Sequence, residues 1–405
     1  MPAPLAAQRA VSRAEAIGAA LAGGTRLALA RSDSAAARAR LSTARALPNP
    51  SLAAGYSKSA PQKHVSLELP FDTPWTRGPR VQAASALVRA AGLRLLSERA
   101  AAEMETDTTY TQALAAEARF RLSRQTARDA DSLRVMAVAR RNAGDASDLD
   151  VDLATVAAGQ QLNVASTDSL SYMGTVLTLQ TLMGLRPESV TIVLTDSLRL
   201  DASTLSPPSA PSTELALVPT GPSGPSAGSS PSVAAAEASL QAAELALTRE
   251  RRSVLSLPAL SVGVEFGDPK GDEPGLLPTV GIVLPLPLFS RNQGPIAEAA
   301  AERDRARIEL TAARLEARQR LVEGTHERDA LRVRVVRDSA LVVMAQRVAA
   351  RSLTAYREGA AALPAVLEAR RSAREVLGQY IDDLAALLIV NTELRALTQT
   401  VPAAP

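Results

Sequence analysis

The chain has 405 residues, of which 46% are hydrophobic but only 2% are aromatic, and it contains no cysteine. Charged residues make up 21% and nearly cancel, leaving a formal net charge of +3. These values exclude disulfides, thiolate metal sites and cysteine nucleophiles, and they provide no electrostatic field of the kind that binds nucleic acid. The aromatic-poor composition favours long helices rich in alanine and leucine over a thick globular core.

The start of the sequence lacks the features of an export signal. Met1 to Arg13 contain no charged segment followed by an apolar one. For an exported protein we therefore expect either that the true start lies upstream of Met1 or that a leader has been left out. The chain contains no run of about 18 apolar residues, so the sequence predicts no membrane-spanning helix.

A β-hairpin is predicted at about 49–75, after an opening helix rich in alanine and arginine. Its second strand places Val65 and Leu67 on one side and Ser66 and Glu68 on the other. Period two over roughly ten residues is typical of a membrane barrel strand, which turns apolar side chains toward lipid. A soluble sheet with one wet face has the same pattern, so a single strand does not distinguish the two.

Two long helices are predicted next, over 77–142 and 147–184, because good helix formers follow Pro79 without another proline. At about 1.5 Å per residue the first helix would be roughly 100 Å long. Gly144 lies between them, and the turn after it is acidic. Its carboxylates would cap the second helix, supply charge for docking or gating, or bind a cation. These acids are Asp145, Asp148, Asp150 and Asp152.

The second half of the chain repeats the order of the first. A segment rich in proline, serine and glycine at 206–232 is interpreted as a linker. It is followed by a helix, a hairpin at about 256–289, and two long helices at 295–357 and 364–399.

Matching residues recur in the two halves at an offset of about 215 residues. Near the helix breaks the matches are Gly144 with Gly359, Val151 with Val366, and Ala154 with Ala369. We therefore predict two copies of one helix–hairpin–helix unit. The first repeat covers 1–205, the second covers 233–400, and a tail follows at 401–405.

Aromatic residues and lysines are distributed unevenly along the chain. Five aromatic residues lie in or beside the four strand segments: Tyr56, Phe71, Trp75, Phe266 and Phe289. Such placement is expected for the aromatic girdles of a membrane barrel. The three lysines, Lys58, Lys63 and Lys270, all fall in the predicted hairpin loops, where charge is tolerated. Four strands cannot close a barrel in lipid whereas three chains would supply twelve, so the sequence predicts a trimer.

Two segments carry a resemblance to a known family. The opening stretch from Arg13, which ends in LPNPSL at 47–52, resembles the first helix and strand entry of TolC-type outer-membrane efflux proteins. The segment LPLPLFSRNQG at 284–294 is most similar to the heavy-metal branch, the CzcC-like proteins. The resemblance covers about residues 12–400.

The resemblance implies a mainly α fold with membrane β-strands. In it, three chains form a twelve-stranded β-barrel in the lipid of the bacterial outer membrane, continued by a twelve-helix α-barrel in the periplasm. It implies a passive channel that exports small solutes such as heavy-metal cations or drugs. Its partners would be two further copies of the chain, a periplasmic adaptor protein and an inner-membrane RND-type pump.

The resemblance also implies that the two helix turns form the adaptor-docking surface and the gate. The corresponding residues here are Gly144, Asp148, Asp150, Val151, Asp152, Gly359, Val366 and Glu368. An acid common in the second turn of that family falls at Ala365 in this chain. A gate built only from acids of the second repeat is therefore not expected.

No catalytic or cofactor site is predicted. His64 and His326 have no spacing that suggests a shared ligand set, and no serine has a histidine partner for nucleophilic catalysis. We predict no enzyme activity, no cofactor and no metal site. Two other functions stay open: the exit duct of a type I protein-secretion system, and a soluble structural coiled-coil protein.

Overall fold

A computed structural model describes residues 8–59, 61–186, 191–199, 230–254, 258–267, 275–284, 287 and 289–398. Most of the predicted linker at 206–232, the tail at 401–405 and Lys270 lie outside the described residues.

Helices dominate the described chain, and its strands fall into two sheets. In chain order the elements are β1 (Gln8–Val11), α1 (Arg13–Gly23), α2 (Thr25–Arg45), β2 (Ser51–Tyr56), β3 (Lys63–Pro70), α3 (Pro74–Asn142), α4 (Asp148–Leu182), β4 (Thr191–Leu194), α5 (Pro231–Arg252), β5 (Ala259–Phe266), β6 (Leu277–Val283), α6 (Gln293–Arg357) and α7 (Leu363–Thr398). Among the described residues, every helix is too short or too polar to span a lipid bilayer.

The four long helices predicted from the sequence are confirmed, and their ends lie within three residues of the predicted ones. They are long because alanine, leucine, arginine and glutamate have high helix propensity and breakers are few. The order of helix, hairpin and helix occurs twice, first around β2 and β3 and then around β5 and β6. The residue boundaries of the two repeats stay a prediction.

The chain divides into two compact units, and each contains segments from both halves of the sequence. The described residues of Met1–Ala28, Glu98–Ser230 and Ala317–Pro405 form the first unit. Those of Leu29–Ser97 and Pro231–Glu316 form the second.

The second unit contains an antiparallel sheet with the strand order β2-β3-β5-β6. Strands β3 and β5, which come from different halves, pair along their whole length from Lys63 with Phe266 to Pro70 with Ala259. Ala259 also lies opposite Val283, the last residue of β6. The strand ends that adjoin helices therefore lie at one end of the sheet, and the strand ends that adjoin the hairpin turns lie at the other.

Alanine forms much of the helix packing in the second unit. Ala86 and Ala90 of α3 pack against Ala242 of α5, and all three are buried. Side chains this small let helix backbones approach closely, but each buries little apolar surface.

The first unit contains a short parallel sheet of β1 and β4 that the sequence did not predict. Val11 and Ile192 from this sheet pack on Tyr110 of α3. The Tyr110 hydroxyl donates a hydrogen bond at 2.8 Å to Asp196 and lies 3.0 Å from the Val11 carbonyl oxygen. Burial raises the pKa of Tyr110 to about 12. Strands of four residues are too short to show period two, which explains the omission.

Candidate functional site

One face of the four-stranded sheet is apolar across all its strands. The register produces three rows on this face: Leu52–Leu67–Val262–Val280, Leu69–Leu260–Ile282 and Ala54–Val65–Val264–Pro278. Val280 is 75% exposed and Ile282 is 78% exposed. A contiguous exposed apolar surface of this kind requires an apolar environment or a partner.

The opposite face of the same sheet is small and polar. Its rows are Ala53–Ser66–Gly263–Thr279 and Ser51–Glu68–Ser261–Gly281. Glycine is required at 263, because a Cβ there would lie 2.7 Å from Thr279 Oγ1 and 2.9 Å from the Val65 carbonyl oxygen. Two further rows of this face, Gly55–His64–Glu265–Leu277 and Pro70–Ala259–Val283, each end in an apolar residue of β6. The two faces therefore differ in chemistry along β2, β3 and β5, and less completely along β6.

The five predicted girdle residues fall at two levels of this sheet. Tyr56 and Phe266 lie at the hairpin end, each opposite Lys63 in the register, and Lys63 Nζ is 5.9 Å from the centre of the Phe266 ring. The other three lie where strands join helices, and all are exposed: Phe71, Trp75 and Phe289. Eight residues of β3 separate the levels by about 24 Å along the strand, which at the tilt of about 35–45° of membrane barrels is a height of roughly 17–20 Å, most of the apolar band.

The turn between α3 and α4 is closed by its own backbone. Gly144 has φ +86°, a left-handed conformation that glycine adopts without a Cβ clash. Its N–H donates to the Arg141 carbonyl at 3.0 Å, and the Asp145 N–H donates to the Arg140 carbonyl at 2.9 Å. These bonds satisfy carbonyls that the end of α3 would otherwise leave free.

A capping box then starts α4. Ser147 Oγ accepts from the Asp150 N–H at 3.2 Å, and the Asp150 carboxylate accepts from the Ser147 N–H at 3.1 Å. Asp148 forms an exposed ion pair with Arg141 at 3.2 Å, and Asp152 is exposed. In the acidic turn, Asp150 therefore caps α4, whereas Asp148 and Asp152 are exposed charges. No group of three or more potential metal ligands occurs in the described part of the chain.

The turn between α6 and α7 has the same backbone form with different side chains. Gly359 has φ +75°, and its N–H donates to the Tyr356 carbonyl at 3.1 Å. Ala362, which corresponds to Ser147, has no side-chain oxygen to cap α7. Glu368 is exposed and lies 3.9 Å from Arg371.

The two turns share one apolar core within the first unit. It consists of Leu133, Ala137, Ala154, Tyr356, Leu363 and Val366, with Val151 packed against it. Val366 is 0% exposed. The structure therefore brings the predicted Val366, which is buried, and Val151, which is partly buried, together from the two halves of the chain.

Arg140 connects the two turns, and the sequence did not indicate it. Its Nη1 donates to the Tyr356 carbonyl at 2.6 Å, and its guanidinium lies 4.8 Å from the centre of the Tyr356 ring. A Cβ at Gly359 would lie 3.6 Å from Arg140 Nη2. Burial raises the pKa of Tyr356. A basic residue in the last turn of a helix is common, so only the tertiary contact distinguishes Arg140.

Helices α6 and α7 also bury two carboxyl groups against each other. Asp338 and Asp383 are both buried. Asp383 receives hydrogen bonds from Arg334 at 2.5 Å and Gln379 at 3.0 Å, and Asp338 receives one from Arg337 at 3.2 Å. One oxygen of each carboxyl has no donor among the described residues. Burial, followed by the adjoining Asp338 carboxyl, raises the pKa of Asp383.

The paired hairpins, the two-faced sheet and the long helices that end in glycine turns define the fold of TolC-type outer-membrane channels. No family model and no curated protein sequence matches the chain.

Solved structures with this fold match the chain nearly end to end. A membrane protein from Pseudomonas aeruginosa has a TM-score of 0.73 at 21% identity, over 96% of this chain and 93% of that chain. CusC, described with respect to transmembrane channel formation, has a TM-score of 0.74 at 16% identity, over 95% and 91%. The outer membrane protein VceC from Vibrio cholerae has a TM-score of 0.72 at 17% identity, over 95% and 96%. These likenesses establish the fold.

Proposed function

We propose that this chain is one protomer of a trimeric outer-membrane channel, the passive exit component of a tripartite efflux system. The observation that carries the proposal is the sheet with one exposed apolar face and one small, polar face. In a membrane barrel the first would face lipid and the second a water-filled lumen. A soluble coiled-coil protein would leave the apolar face in water, which disfavours that alternative.

Exposed apolar residues on two helices support the trimer. On α6 they recur every seven residues, with one gap: Ile308, Leu315, Val322, Val336 and Val343. On α4 a similar row contains Leu149, Val156, Leu170 and Leu177. A seven-residue period is typical of helices that pack along a coiled-coil partner. We propose that α4 of one protomer packs on α6 of the next, and that three protomers together supply the twelve strands of a closed barrel.

The two glycine turns are proposed to dock the periplasmic adaptor and to take part in gating. Asp148, Asp152 and Glu368 are exposed at or near these turns and are available to a partner. Gly144 and Gly359 would preserve the shape of the turns, and Val151 and Val366 would hold them together from inside. Asp150 would act through the start of α4, since its carboxylate caps that helix.

The proposed location is the outer membrane, with the helices in the periplasm and an RND-type pump in the inner membrane. Cargo is assigned to the heavy-metal class on the resemblance of the segment at 284–294, with drugs as the second class. The assignment is tested by co-expressing the chain with a cognate adaptor and pump and measuring tolerance to divalent metal cations and to drugs. A type I secretion duct would restore neither tolerance.

The test of the channel uses two charges on adjacent residues of β3. Leu67→Lys places an ammonium group on the apolar face, whereas Ser66→Lys places it on the polar face. A cation on the lipid side near the middle of a membrane strand costs about 2–4 kcal/mol. We expect Leu67→Lys to reduce the fraction of protein in outer-membrane trimers severely, and Ser66→Lys to leave most of it assembled.

The measurement is made on the full chain, expressed behind an export signal and fractionated from outer membranes. An equal loss of outer-membrane trimers in both variants would show that the two faces of the sheet are not exposed to different environments. Wild-type protein that stays soluble and monomeric would contradict the channel itself.

A further inference from the structure

Arginines are concentrated where the sheet meets the helices. The four junctions at 45–51, 70–80, 249–259 and 283–293 contain Arg45, Arg77, Arg80, Arg249, Arg251, Arg252 and Arg291. Their acidic residues are Asp72 and Glu250, so the junctions carry an excess of five positive charges.

Contacts within the second unit place the described residues of these junctions at one end of the sheet. Arg77 Nη2 donates to the Arg45 carbonyl at 3.3 Å, which joins the end of α2 to the start of α3. Asn292 Nδ2 donates to the Glu250 carbonyl at 2.9 Å, which joins the end of α5 to the start of α6. The Phe71 N–H donates to the Pro258 carbonyl at 2.7 Å and connects the two halves.

The two acidic residues at this end of the sheet already have basic partners. Asp72 is almost fully buried and binds Arg80 at 2.7 Å, with Arg77 at 3.6 Å. Glu250 pairs with Arg249 and accepts a hydrogen bond from Asn292, which is the main reason that its pKa is lowered.

Four arginines therefore remain with exposed side chains: Arg45, Arg251, Arg252 and Arg291. Their side chains have no acidic partner in the part of the chain that the structure describes. We name this group the arginine collar.

The sequences that connect the strands within each hairpin have a different charge balance. The hairpin loops at 57–62 and 267–276 contain two lysines and three acids. In sequence, the excess of positive charge thus occurs at the helix junctions, where Phe71, Trp75 and Phe289 are also exposed. Exposed aromatic rings beside unpaired arginines are the combination expected at a lipid headgroup layer, since the rings enter its apolar side and guanidinium groups bind phosphate.

We propose that the arginine collar binds the phosphate groups of anionic phospholipids in the membrane leaflet next to the helices. The inference rests on the proposed membrane location of the sheet, and it names the class of lipid that the arginine collar would bind. A guanidinium group binds two phosphate oxygens in a bidentate geometry. In a zwitterionic headgroup the lipid's own ammonium group partly neutralises the phosphate, so arginine binds that phosphate less favourably. Near an anionic surface each arginine increases membrane partitioning about fivefold.

The experiment reconstitutes the full chain from detergent into two kinds of vesicle, one of phosphatidylcholine and one that also contains phosphatidylglycerol. The readout is the fraction of protein that floats with each vesicle, at low and high salt. The wild type is expected to enter anionic vesicles at least about tenfold more efficiently at low salt. Substituting the collar, Arg45→Gln, Arg251→Gln, Arg252→Gln and Arg291→Gln, is expected to remove that preference.

Two further variants provide the controls. Glutamine at four exposed arginines elsewhere, Arg38, Arg124, Arg307 and Arg347, matches the change in net charge and should keep the preference. Lysine at the four collar positions should keep most of it, which separates loss of charge from misfolding.

The proposal is overturned if the glutamine collar variant keeps the wild-type preference, or if the matched control loses it equally. Insertion of the wild type into both vesicles with equal efficiency overturns it as well, while leaving the channel proposal intact. Failure to enter either vesicle contradicts the channel proposal, and the lipid proposal then fails with it.

Discussion

The two helix turns have the same backbone but are stabilised in different ways. Gly144 and Gly359 both adopt a left-handed conformation, and both turns close with backbone hydrogen bonds. The first turn is then capped locally, by Ser147 and Asp150. The second has alanine at the equivalent position and depends on Arg140, which reaches it from the other hairpin. Duplicated turns can therefore conserve shape while one relies on local sequence and the other on tertiary contact.

The difference extends into the helices that flank each turn. The hairpin of α6 and α7 buries Asp338 against Asp383, whereas no acid is buried in the described residues of α3 and α4. The helical hairpin of α6 and α7 is thus the one that buries a pair of carboxyl groups and is contacted by a side chain distant in sequence.

The largest expected effect comes from replacing the turn glycines. A β-branched residue in the left-handed region costs about 1–2 kcal/mol or more. Gly359→Val should lower stability more than Gly144→Val. A Cβ at 359 is already in van der Waals contact with Arg140 Nη2 at 3.6 Å, so the valine methyl groups beyond it have less room than at 144, where nothing lies within 4 Å. Both variants should impair solute export and leave trimers intact.

The measurement is denaturant unfolding of the purified trimer together with an export assay. Gly92→Ala is the control, since this helical glycine also has open space around it and alanine favours helix by about 1 kcal/mol. Normal export in both valine variants would remove the turns from the mechanism, and equal destabilisation would remove the distinction between them.

An intermediate effect is expected from Asp338→Asn. The folded chain retains the Asp383 proton at pH values where the unfolded chain has lost it, because the pKa of Asp383 is raised. Stability from this group is therefore complete below the ordinary aspartate pKa and is lost as pH rises through the raised value. Asparagine removes one negative charge and supplies a donor, so the variant should gain about 1 kcal/mol at neutral pH.

Thermal unfolding across a pH series measures this gain. Asp148→Asn, which removes an exposed acid of the first turn, should leave the pH profile close to that of the wild type. A profile unchanged by Asp338→Asn would mean that the two buried carboxyls are not coupled.

The smallest expected effect concerns the caps. Ser147→Ala removes the acceptor for the Asp150 N–H at an exposed helix start and should cost about 0.5–1 kcal/mol. The converse change, Ala362→Ser, offers the second turn the cap that it lacks and should stabilise it by about 0.5–1 kcal/mol. Hydrogen exchange at the first turns of α4 and α7 reports each change locally. Destabilisation by serine at 362 would show that the second turn has no free N-cap position.

The sequence predicts elements well where the signal is long. The four long helices were placed within three residues, and both hairpins were found from period two and the aromatic positions. It missed β1 and β4, whose four residues each give no period, and it did not find Arg140, whose partner is 216 residues away. The role of Val366 in docking or gating stays a prediction, and only the structure shows that this side chain lies in the shared core.

The sequence by itself determined the elements of this protein, because helix propensity, period two and glycine at the breaks act over short stretches of chain. Only the tertiary structure decided which of those residues meet. The pairing of β3 with β5 aligns the apolar rows, and the shared core joins the two turns. The four junctions between strands and helices bring the arginines together at one end of the sheet. Such contacts depend on register and helix packing between segments far apart in the chain, which no local pattern specifies.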